Sequence, residues 1–253
     1  MIEIKNLKTG YDGKIVLEIE SLNFKEGEVT AVVGLNGSGK STLLKSLVGI
    51  TSYQGSIKID EKKASGLSHK KRAAFISYLP QTLPVANLDI YTLVCHGRFP
   101  YLGYSKILGK QDIEEVEKAL RLTDLWHLRD KKLSEVSGGE RQRAYLAMVI
   151  AQNTKYILLD EPATYMDIKH QLEIMAILRK LAEQGRAVIF SSHDLPQSFS
   201  VSDKVCLLKS GRLVAEGRPE NLTADSLQIK NVMGVSLGKA EDKDSIYGYI
   251  LKA

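Results

Sequence analysis

The segment GLNGSGKST, residues 34–42, constrains this chain more than any other stretch. It fits the pattern G-x-x-x-x-G-K-[ST], in which glycines let successive backbone N–H groups surround phosphate oxygens. A short apolar run precedes it at residues 28–33, and apolar residues at helical spacing follow it at residues 43–50. The segment therefore lies between a predicted strand and a predicted helix, which is the setting of a nucleotide-binding loop in an α/β protein.

Three side chains of this phosphate loop have predicted roles of their own. Lys40 would reach the β- and γ-phosphates of ATP, and the Ser41 hydroxyl would bind Mg²⁺. Thr42 opens the following helix, whose N-terminal dipole favours the polyanion. The predicted nucleotide-binding residues of the loop are Gly34, Leu35, Asn36, Gly37, Ser38, Gly39, Lys40, Ser41 and Thr42.

A second element is the sequence YILLDE at residues 156–161, where four apolar residues precede two acids. Such a run predicts a buried parallel strand, whose carboxyl end is the edge at which α/β proteins bind ligands. Asp160 would hold Mg²⁺, and Glu161 would orient or deprotonate the water that attacks the γ-phosphate. The alternative is a strand that ends in two solvated acids, which the presence of the phosphate loop disfavours.

Size and charge are compatible with a nucleotide as the main ligand. The chain has 253 residues, of which 43% are hydrophobic, and this is enough for one sizeable core and a subdomain. Its net charge of +5 comes from 35 basic and 30 acidic residues, and a polyanionic nucleotide explains this excess as well as nucleic acid would. The densest basic run, residues 69–72, is expected to be a solvated helix face, with nucleic acid or lipid headgroups as alternative contacts.

The cysteines and the N-terminal segment favour a reducing, intracellular setting. Cys95 and Cys206 lie in apolar surroundings and cannot form a disulfide framework, so we interpret them as small core residues. The N-terminus lacks a signal pattern, and no apolar run approaches the roughly 18 residues that span a bilayer. By itself the chain is expected to be soluble and cytosolic.

Hydrophobic periodicity divides the chain into an α/β part and a helical insertion. Short β-branched runs predict strands at the start of the chain, in an arrangement that favours antiparallel pairing. From residue 83 to about residue 133 the apolar spacing becomes helical, which predicts an inserted helical subdomain. The α/β alternation then returns as helix 138–152, strand 156–160, helix 166–184, strand 187–191 and a hairpin over 204–216.

Further landmarks make the chain resemble the nucleotide-binding subunit of ATP-binding cassette (ABC) transporters over nearly its whole length. The sequence VSGGE at residues 136–140 resembles the ABC signature motif, and Gln81 resembles the glutamine of the Q-loop. His193 resembles the switch histidine, Tyr11 resembles the aromatic residue that stacks on adenine, and residues 163–167 occupy the position of the D-loop.

The resemblance implies a fold and a set of catalytic residues. The fold is α/β, a P-loop NTPase of the ABC ATPase type, with a RecA-like core, an N-terminal antiparallel β subdomain and an inserted helical subdomain. The whole chain would be one nucleotide-binding domain, with residues 1–82 and 153–253 as the core and β subdomain and residues 83–152 as the helical subdomain. The implied catalytic residues are Glu161, His193, Gln81 and Lys40, and the implied metal ligands are Ser41, Gln81 and Asp160.

The signature motif also implies a dimer. Ser137 and the N–H groups of Gly138 and Gly139 open a helix and so form a second anion site, which cannot fold back onto the phosphate loop of its own chain. With Glu140, these are the nucleotide-binding residues that the signature motif implies. In the family, two copies pack head to tail, so that each ATP touches Lys40 of one copy and Ser137 of the other. ATP then stabilises the closed dimer, and loss of the γ-phosphate loosens it.

The remaining implied partners are membrane components. The resemblance implies a transmembrane permease dimer, which residues around 83–105 would contact, and indirectly an extracytoplasmic substrate-binding protein. The chain would then be peripheral on the cytoplasmic face of the cell membrane, with no nucleic-acid partner. ABC ATPases that act on DNA are disfavoured because they carry a long coiled coil between the phosphate loop and the signature, and no sustained heptads occur there in this chain.

Two stretches resemble one branch of the family, the importers of iron-siderophore complexes, haem and cobalamin. They are residues 96–103, HGRFPYLG, and residues 164–171, TYMDIKHQ. The alternative is that Arg98, Pro100 and Tyr101 only shape a loop of the helical subdomain. An importer of another metal or nutrient, or an exporter, remains the alternative function, because all of these proteins share the same ATP chemistry.

Two departures from the commonest family pattern concern the signature and the D-loop. Val136 and Glu140 replace the usual leucine and glutamine, and Asp167 follows Tyr165 and Met166 in place of alanine and leucine. None of these residues is expected to touch phosphate, so ATPase competence should survive. The acid at Glu140 would weaken nucleotide affinity slightly if it faced the nucleotide sugar.

Overall fold

A computed structural model describes residues 1–103, 107–164, 166–224, 226–239 and 247–250. Within these ranges the chain forms twelve strands and nine α-helices. The strands are β1 (Ile2–Tyr11), β2 (Lys14–Phe24), β3 (Val29–Val33), β4 (Tyr53–Ile59), β5 (Lys62–Lys63), β6 (Ile76–Leu79), β7 (Tyr156–Asp160), β8 (Ala187–Ser192), β9 (Lys204–Lys209), β10 (Arg212–Gly217), β11 (Ser236–Lys239) and β12 (Tyr247–Ile250). The helices are α1 (Lys40–Val48), α2 (His69–Ala73), α3 (Ile90–Cys95), α4 (Lys110–Leu122), α5 (Gly138–Ala151), α6 (Ile168–Glu183), α7 (Leu195–Val201), α8 (Pro219–Ala224) and α9 (Ser226–Met233).

One large sheet organises the described strands. Its order is β5-β4-β1-β2-β10-β9-β3-β8-β7-β6, while β11 and β12 form a separate antiparallel pair. Strands β9, β3, β8, β7 and β6 are parallel neighbours, whereas β1, β2 and β4 pair antiparallel. This arrangement confirms the predicted fold class, an α/β P-loop core joined to an antiparallel β region that begins at the N-terminus.

The parallel strands are continuous apolar runs because both of their faces are covered. Ile157 and Leu159 of β7 belong to a core that includes α3, α4, α5 and α6. Tyr156 and Leu158 point the other way, into a core with α1, β1 and β2. Alternate side chains therefore serve opposite layers, as expected for a sheet buried on both sides. The loops that follow β3, β6, β7 and β8 consequently emerge at one edge of the sheet.

Several predicted elements differ from the observed ones at their ends. The first two strands, which the sequence predicts over residues 2–7 and 15–19, extend further because they pair from Ile2 opposite Phe24 to Tyr11 opposite Lys14. Helix α6 begins at Ile168 and not at Met166, since the Asp167 side chain caps it. The tail beyond residue 235 contributes β11 and β12, while its residues 240–246 and 251–253, like Tyr165, lie outside the described residues.

The expectation for the basic run at residues 69–72 was wrong in one residue. His69, Lys70 and Lys71 are exposed on α2, but Arg72 is buried. Its Nη2 donates to the Ala64 carbonyl oxygen, and its guanidinium group lies against Gly49, which ends α1. A cation is favourable beside the C-terminus of a helix, so Arg72 supports the helix that follows the phosphate loop.

The prediction that Cys95 and Cys206 are small core residues is confirmed. Cys95 and Cys206 are buried free thiols, and burial raises their pKa values to about 11 and about 12. Within the described parts of the chain, none of the helices combines the length and the apolar character that crossing a bilayer requires.

Candidate active site

The phosphate loop joins the end of β3 to the start of α1, as predicted. A Cβ atom on Gly34 would lie 2.4 Å from the Leu208 carbonyl oxygen, so only glycine allows this close approach. Gly39 has a φ angle of +104° and occupies the N-cap position of α1. The hydroxyl of buried Ser38 has no hydrogen-bond partner among the described residues. The loop is therefore a tight backbone cradle.

Lys40 is folded into this cradle. Its Nζ donates to the carbonyl oxygens of Gly34 at 2.8 Å and Leu35 at 3.3 Å, and lies 3.7 Å from Glu161 Oε1. Burial lowers the pKa of Lys40, and the charges of Glu161 and Asp160 partly oppose that change. A buried ammonium group held beside phosphate-binding amides is well placed to neutralise a phosphate.

Glu161 is the point at which the predicted catalytic side chains meet. Its Oε2 accepts a hydrogen bond from Gln81 Nε2 at 3.2 Å and lies 3.3 Å from His193 Nδ1. With Lys40 beside Oε1, the other three predicted catalytic residues surround the buried carboxylate of Glu161. Thr164 Oγ1 also donates to Oε2, at 3.0 Å. The backbone of Glu161 has a φ angle of +50°, an uncommon conformation for this residue type that is found at functional sites.

Asp160 lies beside Glu161 and contacts the start of α1. Its Oδ1 accepts from Ser41 Oγ at 2.9 Å and from Ser191 Oγ at 2.6 Å. The Tyr78 hydroxyl donates to Oδ2 at 3.3 Å, and its pKa is raised by burial and by the Asp160 charge. Two of the three predicted metal ligands, Ser41 and Asp160, are therefore adjacent, whereas the third, Gln81, contacts Glu161.

A cleft of about 620 Å³ is lined by most of these residues, but Asp160 and Tyr78 are not among its lining residues. Its wall runs from residue 36 to residue 42 of the phosphate loop and includes Gln81, Glu161 and His193. Val16, which the sequence did not single out, and Gln171, the last residue of the stretch 164–171, also line it. The volume lies within the range of small-molecule sites, and the polar wall suits a nucleotide polyphosphate.

Tyr11 lies next to this cleft but is not among its lining residues. Its side chain is 45% exposed, as a stacking platform requires. Burial acts to raise the pKa of Tyr11, but the hydroxyls of Thr42 and Thr51 and the charge of Lys45 lower it overall. Those neighbours place the tyrosine beside α1 and the segment that follows it. The role of Tyr11 towards adenine stays a prediction.

The signature motif forms the N-terminus of α5, away from the cleft. Ser137 Oγ accepts from Glu140 N at 3.2 Å, and Glu140 Oε2 accepts from Ser137 N at 2.8 Å. This reciprocal pair is a capping box, and it lowers the pKa of Glu140. Ser137 and Gly138 are exposed, and none of residues 137–140 lines the cleft. Glu140 is thus held by the backbone of its own helix.

The model of the ABC transporter family matches residues 17–164. The chain belongs to the ABC transporter family. It is 40% identical over 230 residues to the petrobactin import ATP-binding protein YclP of Bacillus subtilis, a match that covers 90% of each chain. It is 35% identical over 235 residues to the ferric enterobactin transport ATP-binding protein FepC of Escherichia coli, covering 91% of this chain and 86% of that one.

Solved structures agree with this assignment to the ABC family. The dimeric structure of MJ0796, a bacterial ABC transporter cassette, superposes with a TM-score of 0.76 at 29% identity and covers 87% of this chain and 99% of that chain. A second dimeric structure of the same cassette, in a post-hydrolysis state bound to ADP and phosphate, superposes with a TM-score of 0.75 at 28% identity. The ABC ATPase fold of this chain is therefore established.

Sequence reasoning missed the residues that support the two acids of this ABC ATPase. Fully buried Ser191 donates to Asp160 and accepts from the Glu161 N–H at 2.9 Å. Thr164 and Tyr78 hold the acids from the other side. The parallel register pairs Asp160 with Ser191, so a correct strand alignment would have identified the serine. Nothing comparable in the sequence identifies Thr164 or Tyr78.

Residues in and just after the D-loop pack against α5, the helix that begins at the signature motif and is called the signature helix below. A Cβ on Gly139 would lie 3.5 Å from the His170 ring and 3.4 Å from Met166 Cε. His170 Nδ1 lies 2.8 Å from Asp167 Oδ1, which fixes the ring. Gln142 Nε2 donates to the Pro162 carbonyl oxygen at 2.9 Å and so joins α5 to the segment after Glu161.

Proposed function

We propose that this chain is the ATP-hydrolysing subunit of an ABC importer for iron chelates and that it works as a head-to-tail dimer on the cytoplasmic face of the membrane. The observation that carries the ATPase proposal is the meeting of Lys40, Gln81 and His193 around Glu161. The names of the similar import proteins support the iron-chelate part, because they describe siderophore transport systems.

The phosphate loop and Lys40 would bind the ATP phosphates. In the free chain, Lys40 Nζ bonds two loop carbonyls, and those bonds are easily exchanged for phosphate oxygens of greater negative charge. The N-terminus of α1 adds its dipole. Tyr11 and Val16, on the open side of the loop, would contact the adenosine part of the nucleotide.

Glu161 would act on the attacking water. A carboxylate accepts the proton of a water that it orients for in-line attack on the γ-phosphate. Gln81 and His193, which both contact Glu161 Oε2, would hold the same water and the γ-phosphate in line. The protein thus contributes mainly positioning and charge, as expected for phosphoryl transfer.

The residues beside Asp160 fit a bound Mg²⁺. The Asp160 carboxylate and the Ser41 hydroxyl are oxygen ligands of the kind that this ion prefers, and they are hydrogen-bonded to each other, with Ser41 in the wall of the cleft. Few protein ligands are needed, since Mg²⁺ keeps waters and takes phosphate oxygens. When bound, the ion would neutralise charge on the β- and γ-phosphates. Ser191 and Tyr78 would hold Asp160 in its orientation.

The exposed signature motif supports the dimer. Ser137 and its neighbouring amides would form an anion site on the surface, and none of residues 137–140 lines the cleft of their own chain. In a head-to-tail pair, this site would close over the γ-phosphate bound to the second copy. Binding energy of ATP would then drive association, which is the step that moves a permease.

Replacement of Glu161 by glutamine tests the ATPase assignment. Glu161→Gln keeps the size of the side chain but removes the proton acceptor, so turnover should fall at least about 100-fold, in line with the loss of a general base. ATP affinity should change less than about twofold. Glu173→Gln is the matched control, because Glu173 pairs with Arg143 outside the cleft. Unchanged turnover in Glu161→Gln would overturn the assignment.

Co-purification tests the transport assignment. The tagged chain, isolated from gently solubilised membranes of its host, should bring with it a multi-spanning permease, identified by mass spectrometry. An associated extracytoplasmic iron-chelate-binding protein would support the import of ferric chelates. An exporter permease, or a binding protein for another nutrient, would overturn the iron-chelate part and leave the ATPase part in place.

A further inference from the structure

The C-terminal end of the signature helix, α5, is held by a short turn that follows α3. Residues His96–Tyr101 form a 3-10 turn that packs across the last turn of α5. A Cβ atom on Gly97 would lie 2.2 Å from the Met148 carbonyl oxygen and 3.2 Å from Gln152 N. Only glycine allows this approach, so the turn is seated directly on the backbone of the helix.

Arg98 makes the polar contacts of this junction. It is only 5% exposed, and its Nε donates to Asp112 Oδ1 at 2.9 Å. Its Nη1 donates to the carbonyl oxygens of Ala151 at 2.9 Å and Gln152 at 3.3 Å, the last carbonyls of α5. Those oxygens lack partners within the helix and carry its negative dipole end. The guanidinium group therefore caps the helix with two charge-assisted hydrogen bonds while Asp112 balances its charge.

The same junction reaches β6, the strand that leads to Gln81. Gln152 Nε2 donates to the Ala73 carbonyl oxygen at 2.6 Å and to the Ile76 carbonyl oxygen at 3.3 Å. Ile76 begins β6, and the other end of that strand leads into Gln81. A single contact region thus holds the C-terminus of α5, the start of β6 and the turn at residues 96–101.

The turn also presents side chains to the outside. Phe99 is 52% exposed, and Tyr101, whose ring lies 4.3 Å from the Arg98 guanidinium carbon, is 40% exposed. Helix α5 has 14 residues, so it is about 21 Å long and places Ser137 at its far end. A change in the seating of its C-terminal end therefore displaces Ser137.

We propose that Arg98 is a positioning residue, which fastens the signature helix to the turn at residues 96–101 and so sets where Ser137 meets the nucleotide of a second copy. This inference rests on the proposed shared ATP site. It assigns a physical role to the Gly97-Arg98 step, which acts through α5 and is not among the residues that line the cleft. Loss of the guanidinium group should weaken closure of the dimer and spare the binding of ATP to one chain.

The test uses the full chain with Glu161→Gln as the parent, so that ATP-driven dimers accumulate. Arg98→Met and Arg98→Lys are added separately, and dimer formation is followed by light scattering against protein and ATP concentration. We expect Arg98→Met to weaken ATP-driven dimerisation at least tenfold, with ATP affinity of the monomer within twofold of the parent. The dimerisation of Arg98→Lys should lie between that of Arg98→Met and that of the parent, because an ammonium group keeps the charge but cannot make the forked contacts.

A matched control is Arg121→Met, in the same region of the chain. Arg121 is exposed, and its guanidinium carbon lies 4.5 Å from the centroid of the Trp126 ring. Among the described residues, Arg121 makes no side-chain hydrogen bond to α5. It should dimerise like the parent. In chains that keep Glu161, the Arg98→Met defect in ATPase rate should also shrink as protein concentration rises, which a general loss of folded protein would not produce.

The outcomes separate the two proposals. If Arg98→Met dimerises like the parent, the positioning role is overturned. The role is also overturned if Arg98→Met weakens ATP binding to the monomer by the same factor as it weakens dimerisation. A parent that stays monomeric with ATP overturns the shared site, and the inference with it. If Arg98→Met fails to fold, Asp112→Asn replaces it, since it removes the balancing charge and keeps a hydrogen-bond acceptor. It should weaken dimerisation by a smaller factor, and dimerisation equal to the parent would overturn the role.

Discussion

Replacement of Ser191 by alanine removes two hydrogen bonds from the pair of acids at the active site. Ser191 is fully buried, donates to Asp160 Oδ1 at 2.6 Å and accepts from Glu161 N at 2.9 Å. Loss of a hydrogen bond to a charged group costs about 1.5–3 kcal/mol, and a buried N–H left without an acceptor costs about 1–3 kcal/mol. Since one hydroxyl makes both bonds, the two effects overlap, and we expect Ser191→Ala to lose about 3 kcal/mol of unfolding free energy.

The same change should impair catalysis. Without Ser191, Asp160 keeps Ser41 and Tyr78 as its hydrogen-bond partners among the described residues, and the N–H of Glu161, whose backbone is strained, loses its acceptor. We expect kcat for ATP hydrolysis to fall at least about tenfold, which corresponds to about 1.4 kcal/mol of transition-state stabilisation. Steady-state ATPase assays at saturating ATP give kcat, and urea unfolding of the nucleotide-free chain gives stability.

Ser46→Ala is the matched control for this prediction. Ser46 is also fully buried, but its hydroxyl donates only to the Leu43 carbonyl oxygen within α1, at 2.7 Å. Such a bond competes with the helix backbone and contributes little, so the loss should stay below about 1 kcal/mol. Ser191→Ala and Ser46→Ala with equal stability and equal kcat would refute the assigned role of Ser191.

Three further outcomes follow from the described contacts. Burial raises the pKa of Asp60, but hydrogen bonds, led by Lys155, outweigh it and lower the pKa to about 2. Asp60→Asn should therefore lose about 2 kcal/mol at neutral pH, and urea unfolding should show the difference vanishing as pH falls from about 4 to about 2. Cys95 and Cys206 should not react with thiol reagents at pH 8 until the chain unfolds. Rapid labelling of the folded chain, detected by mass spectrometry, would contradict their burial. His170→Ala should lower ATPase activity with ATP affinity unchanged, because His170 packs on Gly139; equal activity would contradict this.

The phosphate loop, the acidic strand and the fold class could be predicted from the sequence because each is encoded locally. A glycine pattern between a strand and a helix fixes its own backbone, and a run such as YILLDE specifies both a buried strand and its polar end. The capping box of α5 is equally local, since Ser137 and Glu140 are three residues apart. For such elements the chemistry could be inferred before the tertiary structure was known.

The supporting contacts could not be predicted because they join distant segments. Ser191 meets Asp160 only through the register of two parallel strands, and Arg72 meets Gly49 only when α2 lies beside the C-terminal end of α1. Arg98 is the clearest case. In the sequence it lay in a stretch that resembled one importer branch, with a loop-shaping role as the alternative. Its partners Asp112 and Ala151 are set by the docking of a turn on a helix. A charge in a sequence does not reveal whether tertiary packing will bury it.

The measurement that tests the central claim most directly is the mass of the Glu161→Gln chain in solution with and without ATP, by light scattering. A nucleotide shared between Lys40 of one copy and Ser137 of the other predicts that saturating ATP doubles the mass and that ADP does not. The same chain with Ser137→Arg should bind ATP and stay monomeric. A Glu161→Gln chain that remains monomeric at saturating ATP, or a Ser137→Arg chain that dimerises equally well, would contradict the shared site.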